Sequence, residues 1–565
     1  MLSYDRPYAA ALPHPGPPPQ GEGALVYPVL VPDLLHASPL VRIDTEHTKL
    51  SIALAFASGV SGGLFSDALD RATIAPSSWE PEVYAGDLFL EQFVSLCFKI
   101  RIGAQEPTMA TRHLANVLAR PPDDVNTIHY RRAIVAELAG SPVLRRSLEQ
   151  LYLALCQFRT LLEGATAGRK WDSNRRQLDV LTAIKAIFDA MADGFLSAGS
   201  GLSRLRSFGQ RVRAGEPYKA LSDLLEYDEK LASVNLEVRV GADGKIRDFE
   251  IRSVQENRTN PFRSPAWRRW LAKFELFLRG YHFGEGEVMA RLIDAVFDGV
   301  QDELVHFVQL LGDVEFYLGA LGFHDAARAS NLPVCLPTFV RPDQPRTLHG
   351  LFNPLLLAHG ATPVPCDVTT DRHTTTVLVT GPNSGGKTRL LQSIGLVQLL
   401  AQSGVFVPAR SGSVALARGL VVSLLQETRA DQAEGRLGME LVRIRALFER
   451  LPPGAMVLLD ELCSGTNPSE GEEIFELVVR MLTRLEPYAF ITTHFLAFAA
   501  RLERQKTIPD LRFLRVVLGA AHEPTYQFAA GVAETSLAAH AAKRLGVTGE
   551  QLAALIEQNI RRTGG

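Results

Sequence analysis

The sequence is poor in what staples, coats or spans. Its five cysteines (Cys97, Cys156, Cys335, Cys366 and Cys463) are odd in number, widely spaced and without a C-x-x-C pair. A disulfide framework is therefore excluded, and a reducing, cytoplasmic setting with inert core thiols is expected. Charge of either sign is not in excess: the net charge is -3, which rules out a globally basic nucleic-acid coat and confines any DNA contact to a local patch. No basic start with an apolar core and cleavage site opens the chain, so a secretory signal is not expected. Long uncharged runs are scarce as well. Leu50 to Ser66 is seventeen residues broken by three glycines and four serines, short of the roughly 18–20 strongly apolar residues of a spanning helix, so a buried helix-turn and no membrane partner are expected.

What is present centres on Val377-Leu-Val-Thr-Gly-Pro-Asn-Ser-Gly-Gly-Lys-Thr388. Gly381, Gly385, Gly386, Lys387 and Thr388 satisfy G-x-x-x-x-G-K-[ST], in which side-chain-free positions let backbone N–H groups close on phosphates. Pro382, Asn383 and Ser384 complete the loop. Lys387 is expected to reach the β- and γ-phosphates of ATP and Thr388 to hold Mg²⁺. The apolar run before the loop reads as a buried strand, and Arg389 to Ala401 has helical spacing, which places the loop at a helix N-terminus where anions are favoured.

Pattern and composition divide the chain. Residues 1–25 are a proline-rich tail that buries too little apolar surface to offset its ordering entropy. Residues 26–105 read as an irregular N-terminal subdomain. Residues 106–330 carry the 3–4 spacing of buried helical stripes, such as Leu144, Leu148, Leu151 and Leu155, with Asp and Asn residues placed to cap the helix after Pro121 and Pro122. Within this part Val234, Leu236, Val238 and Val240 alternate with polar residues, a Gly241–Gly244 turn follows, and Ile246 to Val254 resumes an extended pattern, a β-hairpin between helices. From Arg239 to Lys273 nine Lys or Arg face four acids, with Phe262, Trp267 and Trp270 among them. Arg247, Arg252, Arg268 and Arg269 are the candidates for a phosphate-backbone grip, against the alternative of a solvated hairpin face. Glu287 to Ala329 is one long helix, apolar through Leu292, Val296, Val300, Leu304, Val308 and Leu311, expected as a lever or rod.

Residues 331–530 alternate strand and helix. Met456-Val-Leu-Leu-Asp460-Glu461 is a buried strand ending in two acids, which puts Asp460 beside Mg²⁺ and Glu461 within reach of an attacking water. Ala489-Phe-Ile-Thr-Thr-His494 is a further strand ending in a polar residue, and His494 is the candidate γ-phosphate sensor. Glu461 and His494 are thus the expected catalytic residues.

Taken together, Gly381–Thr388, Leu399-Leu-Ala-Gln-Ser-Gly-Val-Phe-Val-Pro-Ala409, Leu459-Asp-Glu-Leu-Cys-Ser-Gly-Thr-Asn-Pro-Ser-Glu-Gly471 and Thr492-Thr-His494 resemble the ATPase domain of the MutS family of DNA mismatch-repair proteins. Ala110–Pro122, Arg131–Val135 and the long helix are similar to the family's helical core and lever. The resemblance implies a mixed fold: an all-α core with long lever helices and a small β-hairpin clamp, followed by an α/β P-loop (ABC-like) ATPase domain. It also implies a homodimer formed through the ATPase domain and residues 531–565, where Gly531-Val-Ala-Glu-Thr-Ser536 and Ala542–Val547 resemble the family's dimerisation segment. Two departures stand out. The residues before the core are too few for the mismatch-reading and connector domains, so a short form is expected; Phe-x-Glu occurs at Phe89-Leu-Glu91 and Phe283-Gly-Glu285, neither placed like the family's wedge. Leu437-Gly438 replaces the hydroxyl residues of the segment that reaches across the dimer, leaving Arg436 or backbone N–H groups to substitute.

The expected function is ATP hydrolysis coupled to clamping on duplex, mismatched or branched DNA in repair or recombination. The alternatives are an ATP-driven clamp on a non-DNA particle such as the ribosome, and a nucleotide-switched scaffold with little hydrolysis.

Overall fold

The computed structural model describes residues 31–59, 62–74, 76–164, 173–230, 233–240, 246–255, 285–382, 384–424, 436–463, 468–520, 523–534 and 547–563. The proline-rich tail, Asn383, Arg268 and Arg269 with the nearby aromatics, residues 464–467 and residues 535–546 lie outside that set.

Residues 31–43 lead into α1 (Thr45–Ser58) and α2 (Leu64–Asp70), and a 3-10 turn at Pro81–Val83 leads to α3 (Leu90–Cys97). Then come α4 (Thr111–Ala119), α5 (Val125–Gly140), α6 (Pro142–Glu163), α7 (Ser173–Gly194), α8 (Ser203–Ala214) and α9 (Glu216–Lys230). The caps are where short polar side chains were available: Asp124 accepts from the N–H groups of Asn126 and Thr127, and Ser141 accepts from Leu144 ahead of Pro142 at the first helical position. Each such cap contributes about 1 kcal/mol. The stretch expected to be irregular contains three short α-helices from residue 45 onward and shares its core with its neighbours. Phe56, Phe65 and Phe93 belong to one buried cluster with Leu118, Leu151 and Phe188, because these short apolar helix faces cannot bury themselves without the helices that follow.

The hairpin forms as expected from β1 (Ser233–Val240) and β2 (Ile246–Gln255), antiparallel, with two breaks in register. Asn235 pairs with Ser253 and Leu236 with Ile251, so Arg252 is the extra residue of one bulge; Arg239 pairs with Asp248 and Val240 with Ile246, so Arg247 is the extra residue of the other.

The long helix α10 spans Glu285–Ala329. Its buried stripe begins at Ile293, Phe297 and Val300 rather than at Leu292 and Val296, since Leu292 is 46% exposed. The Phe297 ring, stacked on Phe56 at 3.8 Å, sets that face. From Leu304 to Leu321 every position is buried, so this half is a core helix rather than a free rod. Among the described residues α10 alone is long and apolar enough to cross a membrane, and 94% of its most apolar window is buried in protein. Its two fully buried carboxylates are paired: Asp313 meets Arg42 and accepts the Leu34 N–H at 3.0 Å, and Glu315 accepts from Tyr152 Oη at 3.0 Å and the Ala110 N–H at 2.8 Å.

Two sheets follow. β3 (Thr338–Phe339), β4 (Arg346–Leu351) and β5 (Cys366–Thr370), with α11 (Pro354–Ala358) between the last two, precede the central strand β6 (Thr375–Thr380). After it come α12 (Lys387–Gln402), β7 (Ser411–Val414), β8 (Leu420–Ser423), α13 (Arg436–Arg450), β9 (Met456–Leu459), α14 (Pro468–Leu482), β10 (Tyr488–Thr493), α15 (Leu496–Gln505), β11 (Leu511–Leu518), β12 (Pro524–Ala530) and α16 (Gly549–Thr563). The larger sheet has the order β12-β11-β6-β10-β9-β8, parallel except for the edge strand β12. Alternate residues serve opposite cores: Val377, Met456, Leu458 and Phe490 join the main cluster, whereas Leu378, Val457, Leu459 and Ile491 face α14 and α15. Burial on both faces is why these strands read as unbroken apolar runs.

Candidate functional site

The parallel strands β6, β10 and β9 are neighbours, so the loop after β6, His494 after β10 and the acids after β9 gather at one edge of the sheet, the C-terminal edge where ligands bind in open α/β folds. Gly381 (φ 142°) and Gly386 (φ 84°) take backbone conformations that side chains disfavour. A Cβ on Gly381 would lie 2.6 Å from Val516 Cγ2, and one on Gly385 2.8 Å from the same atom, so β11 packs directly against the loop and the glycines are required on steric grounds as well.

Lys387 is 3% exposed. Its ammonium donates to the Gly381 and Pro382 carbonyls at 2.9 and 3.1 Å, which folds the cation into the loop. Burial lowers its pKa, and the fields of Glu461 and Asp460 oppose that shift. A desolvated cation satisfied by carbonyls rather than carboxylates is chemically matched to an anion.

Thr388 Oγ1 donates to Asp460 Oδ2 at 2.6 Å. Two cis ligands of an octahedral Mg²⁺ at 2.0–2.1 Å lie about 2.9 Å apart, so a small widening of this contact would let both oxygens share one ion. No group of three or more His, Cys, Asp or Glu side chains suited to a metal occurs among the described residues. The oxygen pair instead suits an ion that keeps most of its waters and takes its other ligands from phosphate.

Thr492, absent from the expected site residues, organises the acids. Fully buried at the end of β10, its hydroxyl donates to Asp460 Oδ1 and accepts the Glu461 N–H at 2.8 Å. The sequence signal was a threonine inside an apolar strand, where a buried hydroxyl needs a partner. Glu461 (φ 49°) and Cys463 (φ 60°) sit in the left-handed region, a strain of about 1–3 kcal/mol each that is common where geometry serves a site. His494 is exposed, its ring tilted over Phe495 at 4.3 Å.

Two clefts open onto these residues, one at the loop and one at the acids. One of about 630 Å³ is lined by Ser384, Gly386, Lys387 and Thr388 together with Phe89, Phe352, Tyr526 and Phe528. The second, about 500 Å³, holds Asp460 and Glu461 with Arg443, Arg450 and Asp87. Neither aromatic wall nor Asp87 was marked by a motif, because each is assembled from distant segments. Phe89, the first residue of one Phe-x-Glu tripeptide, lies in the loop's own cleft.

Residues 377–559 match the family model of MutS domain V. The chain is 31% identical to Endonuclease MutS2 of Streptococcus mutans serotype c over 242 residues, 42% of this chain and 29% of that protein. It is 31% identical to Endonuclease MutS2 of Gemmatimonas aurantiaca over 260 residues, 45% of this chain and 31% of that protein, and 29% identical to that of Levilactobacillus brevis over 273 residues, 48% and 33%. The chain spans about a third of the length of these curated relatives. The chain thus carries a MutS domain V at residues 377–559 and is similar to MutS2 proteins over just under half of its length.

Proposed function

We propose that the chain is a Mg²⁺-dependent ATPase that couples nucleotide state to DNA binding in repair or recombination. One contact carries the proposal: Thr388 at the end of the glycine loop meets Asp460, 72 residues on, at 2.6 Å. Loop N–H groups and Lys387 would hold the triphosphate, Thr388 and Asp460 the metal, and the wall of Phe352, Tyr526 and Phe528 the base. Bound Mg²⁺ would supply charge neutralisation at the β- and γ-oxygens, where phosphoryl transfer depends on positioning and electrostatics. Glu461, braced through its N–H by Thr492, would orient or deprotonate water, and His494, at the end of the strand between loop and acids, would sense the γ-phosphate.

DNA as partner is supported by the family and by the locally basic hairpin, which would act as the clamp at the end of the helical part. Endonuclease belongs to the relatives' name; the geometry here gives no argument for strand cleavage. Pairing with a second copy is supported by α16, whose Leu552, Leu555 and Ile556 are 42%, 52% and 59% exposed.

Lys387→Ala is expected to abolish nucleotide binding or turnover, and Glu461→Gln to retain ATP without releasing phosphate. Fluorescent-nucleotide binding and phosphate release check this, and full turnover by both variants rejects the assignments. Affinities for homoduplex, mismatched and four-way-junction DNA and for structured RNA, with and without ATP, separate DNA clamping from a grip on another particle.

A further inference from the structure

Residues 81–89 come from the part of the sequence in which no chemistry was expected, yet they contribute to both clefts, the one at the glycine loop and the one at the acids. Phe89 lines the first beside Thr388 and Leu424; Gly86 and Asp87 line the second beside Asp460 and Glu461. The segment is firmly held. Tyr84 is 1% exposed and donates its hydroxyl to the Ala119 carbonyl at the end of α4. Leu88 is fully buried and packs so tightly that a Cβ on Gly395 of α12 would lie 2.9 Å from Leu88 Cδ2 and 2.8 Å from Leu458 Cδ1 on β9. Phe89 then turns the chain into α3 with a left-handed φ of 53°, which persists only when the surroundings over-determine it.

Within this frame Asp87 Oδ1 accepts the Leu424 N–H at 2.9 Å. The carbonyl of the same peptide group, Ser423 O, accepts the Asp460 N–H at 2.9 Å. A single planar peptide is therefore gripped at its N–H by Asp87 and at its C=O by the residue whose carboxylate meets Thr388. Leu424 lies just past the end of β8, so its N–H takes its partner from Asp87 rather than from the sheet. If that peptide rotates, Ser423 O leaves the Asp460 N–H, and the backbone that carries the carboxylate loses that hydrogen bond.

We propose that Asp87 is a positioning residue for the metal ligand Asp460, acting through the Ser423–Leu424 peptide. This role rests on the nucleotide-site reading above. It ties residues 81–89 to the metal without any contact between Asp87 and the ion.

The test uses the full chain and a fluorescent ATP analogue, titrated with Mg²⁺ and separately bound in EDTA, with thermal melts of each variant. Asp87→Ala should need about ten-fold more Mg²⁺ for half of the metal-dependent gain in affinity, the low end of what loss of an outer hydrogen-bond partner costs a metal site, with affinity in EDTA within about two-fold of wild type. Asp87→Asn keeps an acceptor oxygen and should restore the Mg²⁺ midpoint. If Asp87→Ala melts below the assay temperature, Asp87→Ser, too short to reach Leu424, carries the same expectation. A Mg²⁺ titration of Asp87→Ala or Asp87→Ser that superimposes on wild type overturns the role, as does an Asp87→Asn variant equally impaired. A wild-type chain that binds nucleotide with no Mg²⁺ dependence overturns the site reading and this role together.

Discussion

Val516 and the glycine loop form one steric unit. Gly385 has no left-handed backbone angle to justify it, so its side-chain-free state is explained by the Val516 methyl 2.8 Å from where a Cβ would stand. Gly385→Ala should therefore destabilise the fold by about 1–3 kcal/mol, the usual cost of overpacking, and weaken nucleotide affinity by displacing the loop. Val516→Ala in the same chain should recover a large part of both effects, leaving the remainder due to the Pro382 carbonyl at 3.0 Å. Chemical denaturation and nucleotide titration of the two single variants and the double variant check the coupling. Additive effects would mean that β11 does not set the loop's position. Gly381 is a different case, because its φ of 142° would remain strained after any change at Val516.

The long helix α10 shows at the element scale what a buried carboxylate does to stability. Burial pushes Glu315 from 4.5 up to about 7, opposed by the Ala110 N–H, Arg159 and Tyr152. Its folded pKa is raised, so the folded state holds the proton more tightly than the unfolded chain between these values. Stability from this group is full below pH 4.5, falls as pH rises towards 7 and is level above that. Glu315→Gln mimics the protonated form, so its stability relative to wild type should rise from pH 5 to pH 7; urea midpoints at the two values check this. A difference that stays constant would show Glu315 to be ionised throughout. The sequence made the length of this helix legible, since few breakers interrupt Glu287 to Ala329. It did not reveal that the middle is buried on all sides, because the partners of Asp313 and Glu315 are Arg42, Leu34, Ala110 and Tyr152, which local spacing cannot bring together. The same division holds at the site. Lys387, Thr388 and Asp460 could be read from contiguous motifs, whereas Asp87, Thr492 and the Phe352–Tyr526–Phe528 wall depend on strand order and on a segment from the far end of the chain.

Across the whole molecule, one buried cluster contains Leu391 and Ile394 of α12, Leu311 and Val314 of α10, and Leu34 near the start of the described chain. The helix that begins at Lys387 and the long helix α10 thus share a core that close packing makes resistant to piecemeal change. At the hairpin, Arg247 and Arg252 occupy the two bulge positions of β2, and bulges are places where a strand bends and pairing gives way to other interactions. A grip on DNA phosphates there predicts a salt signature. Neutralising Arg247, Arg252, Arg268 and Arg269 together should weaken DNA binding and make log affinity less steep against log salt, by about 0.9 for each phosphate that is no longer neutralised. Lys387→Ala should shift affinity through nucleotide state while leaving the steepness in the absence of nucleotide unchanged, since it removes no charge from the hairpin. Titrations of one duplex between about 50 and 200 mM salt distinguish the two variants, and an unaltered slope in the four-arginine variant would place the DNA site elsewhere on the chain while leaving the nucleotide site untouched.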